Sequence, residues 1–370
     1  MLRSISTLYI DSQVAGLPET ERIRESLDVP AVTVDDQSVV FQAVRAAQDC
    51  VGQGKRSLFL TNNRGGFLKN CPGTSYYRCC GYKILDVAGF CTMDCSYCIL
   101  QAYFHPPVLK YYINRERLAA ELDAVFHNTG RPLRIGTGEF TDSMIWNCCT
   151  DLNSYLVELF AAQTRAVLEL KTKTADINVL RGMKHNRKTI AAWSLNTERV
   201  ISSEERRTAT LDERLAAAAE CEAMGYPVAF HFDPVILYDG CKEEYLKVID
   251  RLFSYVSHNN IVWISIGAFR FMPQLKPVIE KRFPESVIAY GEFVPGMDRK
   301  MRYFKPLRID IYRSMVERIR EHAPGVCVYF CMEDDQVWEQ SIGFVPAEKG
   351  GLPHILDESA VTHCGLAARF

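Results

Sequence analysis

Residues 83–103 read KILDVAGFCTMDCSYCILQAY. A run of strand character, 83 to 89, opens directly into a loop that carries Cys91, Cys95 and Cys98, with three residues between the first two and two between the last two. A closed structural zinc site takes four protein ligands, so three cysteines this close leave one position unfilled. Three thiolates can instead each bind one iron of a [4Fe-4S] cluster, and the fourth iron then lacks a protein ligand. An open iron is a binding site for a small molecule that chelates through an amine and a carboxylate. Zinc, or an electron-transfer cluster that recruits Cys79 or Cys80 as its fourth ligand, remains the alternative.

Outward from this loop, strands and amphipathic helices alternate. Residues 115–126 have helical spacing, with Leu118, Leu122, Val125 and Phe126 on one face, Asn114 as the expected cap and Gly130 as the stop. Strands are expected at 132–139, 166–172, 189–195, 227–233 and 261–267, with helices near 151–164, 210–225 and 242–256. The helix from 210 opens on a Thr210 to Glu213 capping box and stops at Gly225. Such alternation predicts βα units and a mainly parallel sheet, doubly wound or curled into a barrel. Both arrangements put their chemistry at the carboxyl ends of the strands. The cysteine loop, GTGE (136–139), the lysines after 170 and HFDP (231–234) all fall at such ends.

The flanks are less periodic. Residues 1–80 are rich in turn residues around NNRGG and NCPGTS. The segment from about 290 holds a basic loop, a helix near 308–322 and a strand near 326–332. At 370 residues, 48% hydrophobic and 24% charged, the composition is that of a globular chain, neither disordered nor fibrous. The net charge of -2 gives no overall attraction to nucleic acid, so such binding depends on a local basic patch. No apolar run approaches the roughly 20 residues of a membrane span, and MLRSISTLYIDS lacks the apolar stretch of a secretory signal; the expected compartment is the cytoplasm. In that reducing setting fourteen cysteines point to metal ligation or redox chemistry rather than disulfides.

The cysteine spacing after the first strand of a βα array resembles the cluster motif of the radical S-adenosylmethionine (AdoMet) enzymes. Among these the chain resembles the spore photoproduct lyase family, along nearly its whole length. TLYIDSQVAGLPETERIRESL (7–27) is similar to that family's opening segment and CSYCILQ (95–101) to its CHYCYLQ-type loop. KHNRKTIAAWSLN (184–196) is similar to its KHNGKTRFRFSIN-type segment, and KMRYFKPLRIDIY (300–312) to its Arg-Tyr-containing C-terminal segment. The resemblance implies an α/β protein with a partial (β/α)6 barrel of the radical SAM type. Its core would be 81–290, with an N-terminal extension at 1–80 and a C-terminal segment at 291–370 that completes the substrate face.

The resemblance also implies chemistry: a [4Fe-4S] cluster on Cys91, Cys95 and Cys98, AdoMet as cofactor, a 5'-deoxyadenosyl radical, and repair of damaged DNA with electrons from a flavodoxin or ferredoxin. It places Tyr97 near the cofactor, pairs Lys173 with the cofactor carboxylate, and gives Ser194 a hydrogen bond to its nucleoside or methionine part. Arg302 and Tyr303 match a pair that engages the damaged dinucleotide. Each has a plain structural alternative: a packed loop aromatic, a solvated strand-end lysine, a satisfied strand hydroxyl, surface charge. His231 and Asp233 are further candidates at a strand end.

One segment departs from the lyases. RIGTGEFTD (134–142) aligns with a stretch in which they carry a hydrogen-donating cysteine, and Glu139 stands there instead; Thr141 replaces a serine, and Ile99 a tyrosine. GTGE resembles the GGE-type motif of other radical enzymes, which gives Glu139, with Thr141 beside it, a cofactor-binding role. Cys148 and Cys149 are then the nearest candidate donors in sequence. Cys71, Cys79 and Cys80 are candidates for an auxiliary cluster or a redox pair, while packing accounts for Cys327 and Cys331. Without a substitute donor, efficient lyase activity is expected to be absent, with a related substrate in its place. Action on another base or a small molecule, and a cluster-bearing electron carrier or nucleic-acid-binding module without turnover, stay open as alternatives.

Overall fold

A computed structural model describes residues 4–73 and 76–367 of the chain. The N-terminal region, expected to be irregular, contains a small sheet. Strands β1 (Thr7–Asp11), β2 (Ala31–Val34) and β3 (Ser57–Thr61) run parallel in the order β2-β1-β3. The sheet continues through β7 (Leu109–Tyr112), parallel to β3, and ends on β6 (Ala88–Gly89), antiparallel to β7. Its strands are five residues long at most, and β7 arrives only after the cysteine loop. No local pattern announces a sheet assembled in this way.

A second sheet carries the alternation. Strands β5 (Lys83–Leu85), β8 (Leu133–Gly136), β9 (Ala166–Thr172), β10 (Thr189–Ser194), β11 (Val228–Val235), β12 (Ile261–Ala268) and β16 (Val328–Phe330) lie side by side in that order, all parallel. Strand β4 (Leu68–Asn70) flanks β5 antiparallel. Residues 189–194 and 261–268 are buried throughout, as expected for strands covered on both faces. Each strand sits next to its predecessor in the chain, so right-handed crossovers place the connecting helices on one side and the sheet curls into a half-barrel. A third sheet, β13 (Arg270–Phe271), β14 (Phe293–Pro295) and β15 (Met301–Tyr303), is antiparallel.

The helices follow their patterns closely. Arg115–Asn128 buries Leu118, Leu122 and Phe126, and Leu211–Ala223 opens with the Thr210 to Glu213 capping box. Asn114 does not cap. Its side chain instead accepts from the Asn63 N–H and donates to the Asn63 carbonyl, which ties the helix start to the loop after β3.

A half-barrel has two free edges, and residues 71–73 and 76–82 form a strap between them. Residues 71–73 follow β4 at one edge, and the Arg78 N–H donates to the Glu333 carbonyl (3.1 Å) just past β16 at the other. The Arg78 guanidinium pairs with Asp335, and Arg134 donates both to the Cys80 carbonyl and to Asp357 (2.8 Å). Arg134 and Asp357 are almost fully buried, so removing either partner strands a charge at a cost of about 3–5 kcal/mol. This strap closes the open side and makes a cavity of the barrel mouth.

Candidate active site

The cysteine loop is held by its own backbone. Lys55, buried and contributed by the N-terminal region, donates from Nζ to the carbonyls of Cys91 (3.0 Å) and Met93 and lies 3.6 Å from Asp94. Gln101 Nε2 donates to the carbonyls of Cys95 (3.1 Å) and Ser96 (3.0 Å). The N–H groups of Asp94 and Ser96 donate to the carbonyls of Arg206 and Glu204, and that of Phe90 to the Phe140 carbonyl (2.8 Å). Three separate parts of the chain therefore fix one loop of fifteen residues or so.

Cys91, Cys95 and Cys98 face a cavity of about 530 Å³ at the carboxyl ends of the strands. Burial pushes the Cys95 thiol up to about 12 and raises Cys91 further, with Lys173 opposing at Cys95 and Lys55 at both. A bound cation reverses this cost, because it takes the thiolate as ligand. Among the described residues no three His, Cys, Asp or Glu side chains close on one point as a single metal ion requires.

Lys173, one residue beyond β9, joins the loop to the barrel. Its Nζ donates to Glu205 Oε1 (2.9 Å) and to the Tyr97 hydroxyl, and it lies 4.0 Å from Cys95 Sγ. Tyr97 donates in turn to Glu205, whose other oxygen is held by Arg214 (2.6 Å). Burial disfavours the Glu205 carboxylate, but Lys173 and Arg214 outweigh it and hold its pKa at about 2. Two cations against one carboxylate leave a net positive charge beside Cys95. Ser194, at the end of β10, lines the same cavity, and its carbonyl accepts from Arg214 (2.9 Å).

The GTGE turn supplies the next wall. A side chain at Gly138 would approach Lys171 Cβ to 2.8 Å, so glycine lets the turn lie against β9. Glu139 pairs with Lys171 and faces the cavity, as does Thr141, whose Oγ1 accepts from Trp146 Nε1 (3.1 Å). Asp142 clamps turn to strand by accepting from Thr172 Oγ1 (2.8 Å) and the Lys173 N–H (2.9 Å). His231 bonds Glu169 (2.5 Å), Asp233 pairs with Arg270 (3.1 Å), and all four line the cavity.

Other candidates lie elsewhere. Cys148 and Cys149 are on a turn that does not line the cavity; their sulfurs donate to the carbonyls of Ile145 and Trp146. Arg302 is 2% exposed, pairs with Asp298 and packs 4.3 Å over the Tyr77 ring. Tyr303 is buried, stacked on Phe293, with its hydroxyl accepting from the Leu237 N–H. Neither lines the cavity, although Lys300 does. Cys71, Cys79 and Cys80 do line it, carried there by the strap, and so does Cys331 at the end of β16, where packing alone was expected. Lys171 is one of the strand-end lysines the sequence points to, but Lys55, Glu205 and Arg214 had no signal there, since single charged residues become legible only when their partners are known.

The family model of spore photoproduct lyase matches residues 78–315. The chain belongs to the spore photoproduct lyase family. This is a family of radical AdoMet enzymes, and its members set the scale of likeness. The spore photoproduct lyase of Bacillus subtilis (strain 168) is 25% identical over 237 residues, which cover 63% of this chain and 67% of that protein. That of Clostridium acetobutylicum is 25% identical over 255 residues, 68% and 72% of the two chains. A solved spore photoproduct lyase variant with bound AdoMet and dinucleoside spore photoproduct superposes with a TM-score of 0.76 at 19% identity, over 88% of this chain and 99% of that one. The half-barrel is thus the family's fold.

Proposed function

We propose that the chain acts on a thymine photoproduct-type lesion in DNA, with a [4Fe-4S] cluster on Cys91, Cys95 and Cys98 and AdoMet bound beside it. The observation that carries this reading is the single cavity onto which the three cysteines, the GTGE turn, Lys173 and Ser194 all open. The donor set fits the cluster: the buried Cys91 and Cys95 and the half-buried Cys98 face one space without converging on one point, which suits ligands that each take a separate iron. When reduced by a partner protein of the flavodoxin or ferredoxin class, the bound pair supplies a 5'-deoxyadenosyl radical that abstracts a hydrogen atom from the substrate.

The chain's own residues bind and orient. Lys173, with its excess positive charge, offers an ion pair to the AdoMet carboxylate, and Glu139 offers its carboxylate to the amino group. Ser194 and Thr141 present hydroxyls, and Tyr97 locks Lys173 in place. Glu139 shares its charge with Lys171, so it accepts a second cation without moving. Arg302 and Tyr303 shape the β14-β15 hairpin that carries Lys300 to the cavity, a supporting place for a nucleic-acid contact. The expectation that lyase activity is lost rests on the absence of a thiol at position 139. The cavity carries thiols at other positions, which keeps the lesion within reach as a substrate.

The test is incubation of anaerobically reconstituted protein with AdoMet, dithionite and the synthetic dinucleoside photoproduct. Formation of 5'-deoxyadenosine together with consumption of the photoproduct supports the reading. Cleavage of AdoMet with the photoproduct untouched, at concentrations shown by calorimetry to saturate or not to bind, moves the substrate to another nucleobase.

A further inference from the structure

Abstraction of a hydrogen atom from a substrate ends in a carbon radical, and the reaction closes cleanly only if a hydrogen atom is returned to it. The thiol S–H bond is among the weakest that a protein side chain offers, comparable with a tyrosine O–H, and it passes hydrogen to carbon radicals quickly, while a carboxyl O–H, as on Glu139, is far too strong. Four thiols outside the cysteine loop line the cavity: Cys71, Cys79 and Cys80 on the strap, and Cys331 at the end of β16. The strap brings the two edges of the half-barrel together, so Cys331 lies within electrostatic reach of Cys71, Cys80 and Glu139.

The four are not equivalent. Cys80 hydrogen-bonds to Cys79 and so lowers the Cys79 thiol, which leaves the hydrogen between the two sulfurs engaged within the pair. Cys331 differs in its bonding. Its sulfur accepts from Arg270 Nη2 (3.3 Å), a contact that occupies a lone pair and leaves the S–H free. Burial pushes its thiol up to about 12, against the pull of Arg270, so the hydrogen stays in place. Its backbone N–H donates to the Ile266 carbonyl (3.1 Å), which fixes it to a barrel strand, whereas Cys71 sits on the strap. Rigid placement matters because hydrogen transfer tolerates little displacement.

We propose that Cys331 is the hydrogen-atom donor to the substrate carbon radical. This rests on the radical reading given above. In the step, the Cys331 S–H bond breaks homolytically, a C–H bond forms on the substrate, and the unpaired electron is left on sulfur. One electron from the low-potential protein reductant that serves the cluster, and one proton from solvent, restore the thiol. The role is distinct from that of Cys327, at the other end of β16, which does not line the cavity.

Because thiol hydrogens exchange with solvent, the assay is run in D2O with the synthetic dinucleoside photoproduct, AdoMet and dithionite. Deuterium in the repaired product is counted per 5'-deoxyadenosine formed. Wild-type enzyme and Cys327→Ala are expected to return product with one solvent deuterium. Cys331→Ala should lower that yield at least tenfold, with adducts of the unquenched radical in its place. Cys331→Ser should fail equally, although its hydroxyl can still accept from Arg270, which separates donation from packing. A second readout needs no cofactor: saturating dinucleotide should slow alkylation of Cys331 by iodoacetamide, measured by peptide mass spectrometry. Unchanged labelled product from Cys331→Ala, a loss seen only in Cys71→Ala, or undiminished alkylation with dinucleotide bound would each overturn the proposal. Failure of the wild type to bind or consume the photoproduct overturns the functional reading itself, and the donor assignment with it.

Discussion

Lys173 Nζ donates to Glu205 Oε1 at 2.9 Å, and the same carboxylate takes a hydrogen bond from Tyr97, the residue before Cys98. The end of a barrel strand is thereby fastened to the cysteine loop through the buried Tyr97 and Glu205 and the half-buried Lys173. Glu205 is the hinge of this arrangement, because Arg214, fully buried, leans on it from the other side.

Glu205→Gln is therefore expected to destabilise the protein by about 3–5 kcal/mol, since two buried cations lose their counter-charge. The pH dependence follows from the same site. Its folded pKa of about 2 lies below the usual glutamate value of 4.5, so the carboxylate contributes stability in full above 4.5 and loses it as pH falls from there towards 2. Urea unfolding at pH 7 and pH 3 checks both points: the gap between wild type and variant should narrow at the lower pH.

Lys55 reaches the loop from the N-terminal region, and Lys55→Met should loosen it. Carbonyls of Cys91 and Met93 lose their donor, while Asp94 keeps Arg282. The expected outcome is a fall of about 1–3 kcal/mol in stability from the unsatisfied carbonyls and a lower iron content after reconstitution. Iron per chain, measured alongside circular dichroism, separates loop damage from global unfolding.

Glu139→Gln keeps the shape of the turn and removes its charge. If Glu139 holds the AdoMet amino group, affinity for AdoMet falls about tenfold or more, the worth of one charge-assisted bond of roughly 1.5–3 kcal/mol, with iron content unchanged. Equilibrium binding of AdoMet to the reconstituted protein measures this. Unaltered affinity returns Glu139 to being simply the partner of Lys171.

Arg302→Ala should act first on stability. Asp298 is left with Lys300 alone, at 3.8 Å, and the Tyr77 ring loses its packing, for a cost of about 3 kcal/mol or more. A melting curve shows this without any substrate. Normal stability with weaker dinucleotide binding would instead favour direct contact.

The strands of the half-barrel were legible because each is a short buried run at the end of a helical period. AVLELKT, TIAAWSL and IVWISIG are strands to within one residue of their expected bounds, whereas KILDVAG, expected as one strand, splits into β5 and β6, which lie in different sheets. The N-terminal sheet was not, because β3 finds β7 only across the cysteine loop. At the site, spacing singles out Cys91, Cys95 and Cys98, position at strand ends singles out the GTGE turn and the lysines after 170, and Ser194 stands out only through the family resemblance. Cys148 and Cys149 are the donors that nearness to the GTGE turn in sequence suggests, but sequence distance says nothing of which way a turn faces. Strand parity groups Cys331 with Cys327, and only the strap residues 71–73 and 76–82 show what lies in front of it.

The central claim is that three cysteines hold a cluster whose remaining iron takes AdoMet. The most direct measurement is the electron paramagnetic resonance spectrum of the anaerobically reconstituted, dithionite-reduced protein, recorded with and without AdoMet. A [4Fe-4S] signal that changes on addition of AdoMet, and that is lost in Cys91→Ala, Cys95→Ala and Cys98→Ala, is the predicted result. Zinc in place of iron, or a cluster signal indifferent to AdoMet, would contradict the account.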